Sequence, residues 1–300
     1  MISPSRTYYK YLDIKGLHGV IDSMTLRATD PRCFNDPFDC QYKLVRNFCS
    51  IESQEAVVRA VEAAVRSLEA PTFDRDTPMR EVVGRFRSRR SDINWPEMRR
   101  LHLLVAADAF SNPRVQTELG NLERKVALHR SMTRVLCLGS KRDSMLMWAH
   151  YAQKHEGGVI ALTTPTGSDS FLNLALPVRY TSILPVVLEP AEWAQFLVGL
   201  ETPNFGERVR DVYLHKDSEW EYEEEYRCFF ILPEPHDQDC KDPLPVPLRE
   251  EVSGIYFGVR MSDADKASVQ RFAEAKGLRV PYFQARLAED RFGVTFDSLS

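Results

Sequence analysis

The sequence predicts an α+β fold: a mixed, largely antiparallel sheet core, a helical insertion, and a C-terminal strand–helix–strand unit. Three observations carry this. Short β-prone segments recur at both ends of the chain, helical periodicity dominates about 52–132, and a capped helix lies between the last two predicted strands. Residues 1–300 read as one domain carrying that insertion.

Thr7–Tyr11 is aromatic and β-prone, and Thr25–Ala28 reads as a second strand. Between them Ile14, Leu17, Val20 and Ile21 recur at helical spacing. Pro31 and Pro37 break regular structure, so CFNDPFDC is a loop. Val57, Val58, Val61, Ala64, Val65 and Leu68 line one helix face, and Pro71 follows its end. Met98, Leu101, Leu104 and Val105 mark another helix, and Val115, Leu119, Leu122 and Val126 a third. Strands are then expected at Arg134–Leu138, Gly158–Leu162, Val178–Tyr180, Glu225–Leu232 and Gly254–Val259. Pro233, Pro235, Pro243, Pro245 and Pro247 place an exposed loop before the last of these. Ser262 and Asp265 open a helix running to Lys276, Gly277 suits its C-terminal cap, and Leu278–Gln284 is the final strand.

Composition excludes whole classes. Hydrophobic residues are 43% of the chain and charged residues 27%, enough for a packed core and unlike a disordered or collagen-like chain. No apolar run approaches the ~18 residues of a membrane span. The N-terminal MISPSRTYYKYLD lacks the apolar stretch of a secretory signal, so a cytoplasmic protein with no membrane partner is expected. The net charge of −4 argues against a dominant nucleic-acid surface. The 6 cysteines form no CxxC pair and no His stands at finger-like spacing, so no metal is expected and the thiols read as reduced.

Four segments carry candidate chemistry. In WEYEEEYR, from Trp220 to Arg227, an extended backbone would put Glu223, Glu225 and Arg227 on one face and Tyr222, Glu224, Tyr226 and Cys228 on the other. Two carboxylates so placed repel, which calls for a raised pKa or a cationic partner such as Arg227. The pattern suits a carboxylate that steadies an oxocarbenium-like transition state. A solvated acidic strand edge is the competing reading, and both stand.

In MLMWAHYA, from Met145 to Ala152, and the following HEGG, His150 and His155 are five apart, off a common helix face. Trp148, His150 and Tyr151 could wall an aromatic pocket, with Gly157 and Gly158 letting a ligand approach the backbone. Taken alone, the segment reads rather as core-facing helix with a satisfied buried histidine. In FNDPFD, Asn35 and Asp36 are turn formers first; a polar ligand contact, or a divalent ion on Asp36 and Asp39, is the other reading. Finally, Arg80–Arg100 holds seven arginines against three acids, a solvated helix face or a weak phosphate-binding face.

Taken together, Tyr9-Lys-Tyr11, FNDPFD, MWAHYA with His155 and Gly157, Lys216 through WEYEEEYR, and Ile255-Tyr-Phe-Gly258 are similar to the bacterial family called domain of unknown function 2971. The motifs span roughly 7–285. A weaker, fold-level likeness is to ADP-ribosyltransferases, in the aromatic first strand, short helix, second strand and late Glu-x-Glu strand. That resemblance implies an enzyme acting on NAD, as substrate, or on another nucleotide glycosidic bond, in the role of a defence or toxin (antiphage) effector. It places Lys10 or Tyr11 at the first NAD contact, His150 and Tyr151 beside the nicotinamide, and Glu225 at the ribose hydroxyl, with Glu223 orienting the acceptor. The first strand carries Lys10 where those families have Arg or His. The reading from another class is a metal-dependent nuclease using Asp36, Asp39 and the late glutamates, or a nucleic-acid sensor using Arg80–Arg100. Convergence of Lys10, Asn35, His150, Tyr151 and Glu225 on one cleft would support a shared site, whereas Glu223 and Glu225 pointing into open solvent far from the WAHYA segment would remove the enzyme reading.

Overall fold

The computed structural model describes residues 6–46, 48, 50–100, 113–165, 167–233 and 242–299. The chain opens with β1 (Thr7–Leu12), α1 (Ile14–Ser23), β2 (Thr25–Ala28), β3 (Lys43–Val45), α2 (Ile51–Arg66), α3 (Pro78–Arg87) and α4 (Pro113–Met132). Next come β4 (Thr133–Gly139), α5 (Met145–Tyr151), β5 (Gly158–Thr163), β6 (Leu176–Pro177), β7 (Arg179–Tyr180), β8 (Val186–Leu188), α6 (Pro190–Val198) and α7 (Phe205–Val212). It closes with β9 (His215–Lys216), β10 (Glu225–Ile231), β11 (Leu244–Pro247), β12 (Val252–Phe257), α8 (Asp263–Ala275), β13 (Tyr282–Leu287) and β14 (Val294–Leu299). This is an α+β fold.

Two compact units share the chain. One joins Met1–Asp39, Met132–Ser182 and Leu214–Ser300; the other joins Cys40–Ser131 with Ile183–Tyr213. The helical part therefore starts before residue 52 and recruits a second segment. In it α2 packs on α6 through Ala56, Ala60, Val61, Ala64 and Val65 against Ala194 and Val198. A parallel pair, β3 with β8, closes the same unit. Contacts so distant in sequence leave no periodic trace, so the contribution of 183–213 was not predicted. Residues 95–100 are helical, as the spacing from Met98 requires, but Leu101, Leu104 and Val105 lie outside the described residues.

The other unit is built on a sheet ordered β14-β13-β12-β5-β1-β4-β10-β6. Every neighbouring pair is antiparallel except β12 and β13, which run parallel across α8 as the predicted crossover. Ser262 caps α8 by accepting from the Asp265 amide at 3.1 Å, and Gly277 ends it at φ 72°. Asp13 caps α1 in the same way, accepting from Gly16. Side chains alternate across the sheet, so Ile160 and Leu162 join one core while Val159 and Ala161 join another. The first core packs Leu17, Val20 and Ile21 of α1 and Val269 and Ala273 of α8. Fully buried Leu17 alone contributes about 1.5–3 kcal/mol. The second packs Met147 and Trp148 of α5 on Tyr11 and Tyr256.

Three expectations change. The last predicted strand, Leu278–Gln284, is displaced to Tyr282–Leu287 and continues into a hairpin with β14. Part of the proline-rich loop is a strand: Leu244–Pro247 pairs with β2, and its prolines alternate with buried Val246 at a sheet edge, where a missing N–H is tolerated. Glu223 is not on a strand. It ends a 3-10 turn, Ser218–Glu223, and Glu224 takes a left-handed conformation (φ 41°) before β10 begins.

Candidate functional site

The left-handed Glu224 changes how the three key side chains come together without separating them. Glu224 turns outward to Ser140 and Lys141, while Glu223, Glu225 and Arg227 all turn inward and are buried. Pairing of β10 with β4 sets Glu225 opposite Gly139 and Arg227 opposite Cys137. Pairing of β1 with β4 brings Tyr9 to the other side of Gly139. The late glutamates and the aromatic first strand therefore meet across one strand.

Two cations hold the carboxylates. Lys216 Nζ, on β9, donates to Glu223 Oε2 at 2.6 Å and Glu225 Oε2 at 3.1 Å, and lies 3.5 Å from Asp39 Oδ2. Arg227 forks onto Glu225, Nε to Oε1 at 2.8 Å and Nη2 to Oε2 at 3.0 Å, and Nη2 also reaches Asp39 Oδ2 at 2.7 Å. Three acids against two bases leave a buried excess of negative charge if all are ionised. Burial pushes the Glu223 carboxyl up, the nearby Glu225 charge adds to this, and Lys216 only partly offsets it. Burial would also raise Glu225, but Arg227 and Lys216 overcome it and hold that carboxyl well below the usual range. Burial would lower Lys216, and its three carboxylates instead hold it above an ordinary lysine. The expectation that crowded carboxylates need a raised pKa or a cation is met twice, by a different route for each.

A cleft of about 100 Å³ opens beside this cluster, lined by Tyr9, Lys10, Tyr11, Asn35, Tyr151 and Glu223 among others. Lys10 Nζ donates to the Cys137 carbonyl at 2.8 Å and Tyr11 donates to the Lys141 carbonyl at 2.8 Å. The Tyr151 hydroxyl donates to Glu223 Oε1 at 2.6 Å and accepts from Asn35 Nδ2 at 3.4 Å. Burial, and the Glu223 charge behind it, keep that phenol firmly protonated.

Other residues singled out in the sequence lie elsewhere. Trp148 is fully buried, donates to the Arg142 carbonyl at 2.8 Å and packs edge-on against Tyr11. His155 stacks on Trp148 (6.2 Å, 11°) in a left-handed conformation, and burial lowers its pKa. Neither walls the cleft. His150 is exposed and lines a separate open groove with Tyr11 and Tyr151, so it is not the buried histidine of the core reading. Gly157 and Gly158 serve the fold: a Cβ at Gly157 would stand 2.2 Å from the Leu12 carbonyl oxygen, and one at Gly158 2.9 Å from that of Tyr256. Asp36 accepts from the Phe38 amide at 2.9 Å as a turn residue and is not on the cleft. Arg227 is committed to Glu225 and Asp39 and does not line it either.

Lys216 at the centre, Cys137 beside Glu225, and Tyr180, whose hydroxyl accepts from the Glu225 amide at 2.8 Å, fall outside the candidates read from the sequence, while Asp39, read there as a possible ligand of a divalent ion, is a shared acceptor for Lys216 and Arg227. Of those outside the candidates, only Lys216 had a signal, its place in the motif preceding WEYEEEYR. Among the described residues no cluster of His, Cys, Asp and Glu is placed to hold a metal ion, and Lys216 and Arg227 sit where carboxylates Asp39 and Glu225 would meet one. The arginine run belongs to the helical unit. Arg87 donates to the carbonyls of Ala64, Ser67 and Glu69 and so caps the end of α2, and Arg85 pairs with Glu81. Arg89 and Arg100 are exposed. No helix of the described residues is long and apolar enough to cross a membrane.

The thiols provide a direct check of these placements. Burial raises Cys137 well above an ordinary thiol and pushes Cys228 up to about 12. Exposed Cys33 is expected to react with iodoacetamide at pH 7 well before Cys40, Cys137 and Cys228, as read by peptide mass spectrometry.

No protein-family model, curated protein or solved structure matches the chain. The likeness to domain of unknown function 2971 therefore rests on the quoted motifs alone.

Proposed function

We propose that the chain is a bacterial, cytoplasmic, ADP-ribosyltransferase-like enzyme of the domain of unknown function 2971 kind, acting on NAD or another nucleotide glycosidic bond, in a defence or toxin role. The observation that carries this reading is the convergence of Glu223 and Glu225 with Lys10, Asn35 and Tyr151 around one cleft, with His150 outside it on the neighbouring groove. In such chemistry the bond from the anomeric carbon to the base breaks, and its electron pair leaves with the base. Positive charge develops on the sugar, and a buried carboxylate in a water-poor site stabilises it strongly. The acceptor oxygen then bonds to that carbon and its proton passes to a carboxylate. Lys10 has donors beyond the one used on Cys137 and would meet the nucleotide's phosphate.

Purified protein is expected to consume NAD, with release of nicotinamide followed by chromatography. The double variant Glu223→Gln/Glu225→Gln should lose at least about 100-fold in rate. Wild-type protein that leaves NAD and free nucleotides intact overturns the reading. Nuclease activity abolished by chelating divalent ions would replace it with the metal-dependent alternative. That alternative has less support, because cations of the chain itself already neutralise Asp39 and Glu225.

A further inference from the structure

The two buried glutamates are not equivalent, and their partners differ in kind. Glu225 has both carboxylate oxygens taken by protein cations: the guanidinium fork of Arg227 spans Oε1 and Oε2, and Lys216 adds to Oε2. Its backbone amide is also tied, to the Tyr180 hydroxyl. Glu223 has only one oxygen on a cation, Oε2 on Lys216. Its other oxygen, Oε1, receives the Tyr151 phenol. Tyr151 lines the cleft, and its hydroxyl stands between Glu223 and Asn35, two other cleft residues, so it is the link from Glu223 to a ligand there.

We propose that Glu223, reached through the Tyr151 hydroxyl, takes the acceptor's proton, and that Glu225, which also lines the cleft but has both carboxylate oxygens held by Arg227 and Lys216, is a positioning residue. This division of labour rests on the function proposed above; it keeps Glu223 at the acceptor, adds Tyr151 as the relay, and departs from the role at the ribose hydroxyl that the ADP-ribosyltransferase likeness implies for Glu225. The step balances as a relay. The acceptor's proton moves to the Tyr151 oxygen as the phenol's own proton moves to Glu223 Oε1. The acceptor oxygen bonds to the anomeric carbon while the electron pair of the broken glycosidic bond leaves on the base. Net, one proton passes from acceptor to Glu223, and Tyr151 ends as it began. Asn35, donating to the phenol oxygen, fixes the orientation of the ring hydroxyl. Glu225 with Arg227 and Asp39 anchors Lys216, which in turn sets the position of Glu223.

The groups facing Glu223 are Lys216 from β9, Glu225 from β10, Tyr151 from α5, and Tyr222 on its own turn, with Asp39 beyond Lys216 and Tyr180 beyond Glu225. Glu223 must be ionised to take a proton, so activity should rise with pH through the Glu223 titration. Removing the Glu225 charge should move that limb to lower pH, because a like charge that discourages ionisation is gone.

The test measures pH–rate profiles of NAD consumption for wild type and for Glu223→Gln, Tyr151→Phe and Glu225→Gln, with thermal unfolding to establish that each is folded. Carboxyl carbon NMR titration of glutamate-labelled wild type, assigned through the variants, runs alongside. Glu223→Gln and Tyr151→Phe are expected to lower kcat by about 10²–10⁴-fold with little change in KM. Glu225→Gln should lose much less and shift the acid limb down. If the glutamine variant does not fold, Glu225→Asp, which keeps the charge, tests the rate prediction alone and is expected to leave the acid limb in place. Near-normal kcat in Glu223→Gln, or total loss in folded Glu225→Gln, overturns the assignment. If the wild type does not consume NAD, both readings fall; if it does and Glu223→Gln keeps a near-normal rate, only this division of roles falls. The highest-titrating buried glutamate must be Glu223; finding Glu225 there instead overturns the division of roles.

Discussion

Arg227→Met is expected to destabilise the sheet-bearing unit by about 3–5 kcal/mol, read from urea unfolding, because it removes one partner of a buried charge network. Arg227 is fully buried and its guanidinium binds Glu225 twice and Asp39 once. Methionine fills much of the same space, so the loss reports the charges rather than a cavity. Lys216 would then face Asp39, Glu223 and Glu225 without the Arg227 charge beside it. Adding Glu225→Gln should cost less than it does in the wild-type background, which a double-mutant cycle measures.

The variant should also change how stability depends on acid. In the wild type the Glu225 carboxyl is depressed, so its contribution is present above the ordinary carboxylate range and lost as pH falls through the folded value. Glu223, raised in the folded state, acts in the opposite sense. Without Arg227, burial governs Glu225 as well, and its folded pKa moves upward. Its contribution is then present at low pH and lost as pH rises. The cost of Arg227→Met should therefore be largest near neutrality and shrink on mild acidification. A cost independent of pH would show that packing, not charge, holds Arg227 in place.

Trp148→Ala is expected to cost about 3–5 kcal/mol, with Trp148→Phe costing clearly less. Trp148 has no exposed surface, packs against Tyr11 and His155, approaches Phe296 at 6.5 Å, and ties the loop after β4 through its bond to the Arg142 carbonyl. Truncation leaves a cavity between α5 and the sheet and an unpaired carbonyl in the loop after β4. Tyr151 sits on the same helix, so loosening α5 should also weaken its hydrogen bond to Glu223. Chemical denaturation measures the first effect; a loss of activity larger than the loss of folded protein would reveal the second.

Much of this could be read from the chain. The capped helix after Ser262, the strand across Glu225–Ile231 and the aromatic first strand are local events, set by period, capping and turn chemistry within a few residues. The same locality made Glu223 and Glu225 visible as a stressed pair, and Tyr151 and Asn35 as polar groups worth placing. It also misled in part: the WAHYA segment reads as a core-facing helix with a buried histidine, yet a helix turns its successive residues apart. Trp148 goes to the core, Tyr151 to the cleft and His150 to solvent.

What the sequence determined by itself was the α+β class, most strands of the large sheet though not β6 or β14, and the types of side chain available to the site. Tertiary structure alone decided which charges meet. Lys216 becomes the centre of the cluster because β9 delivers it beneath the turn that holds Glu223, and Asp39 joins through a loop more than 180 residues from Arg227. Folding likewise gave the two glutamates opposite titration behaviour, although they stand two residues apart in one acidic run. The physical reason is that a pKa follows the nearest charges and the depth of burial, and both belong to the folded chain rather than to the order of its residues.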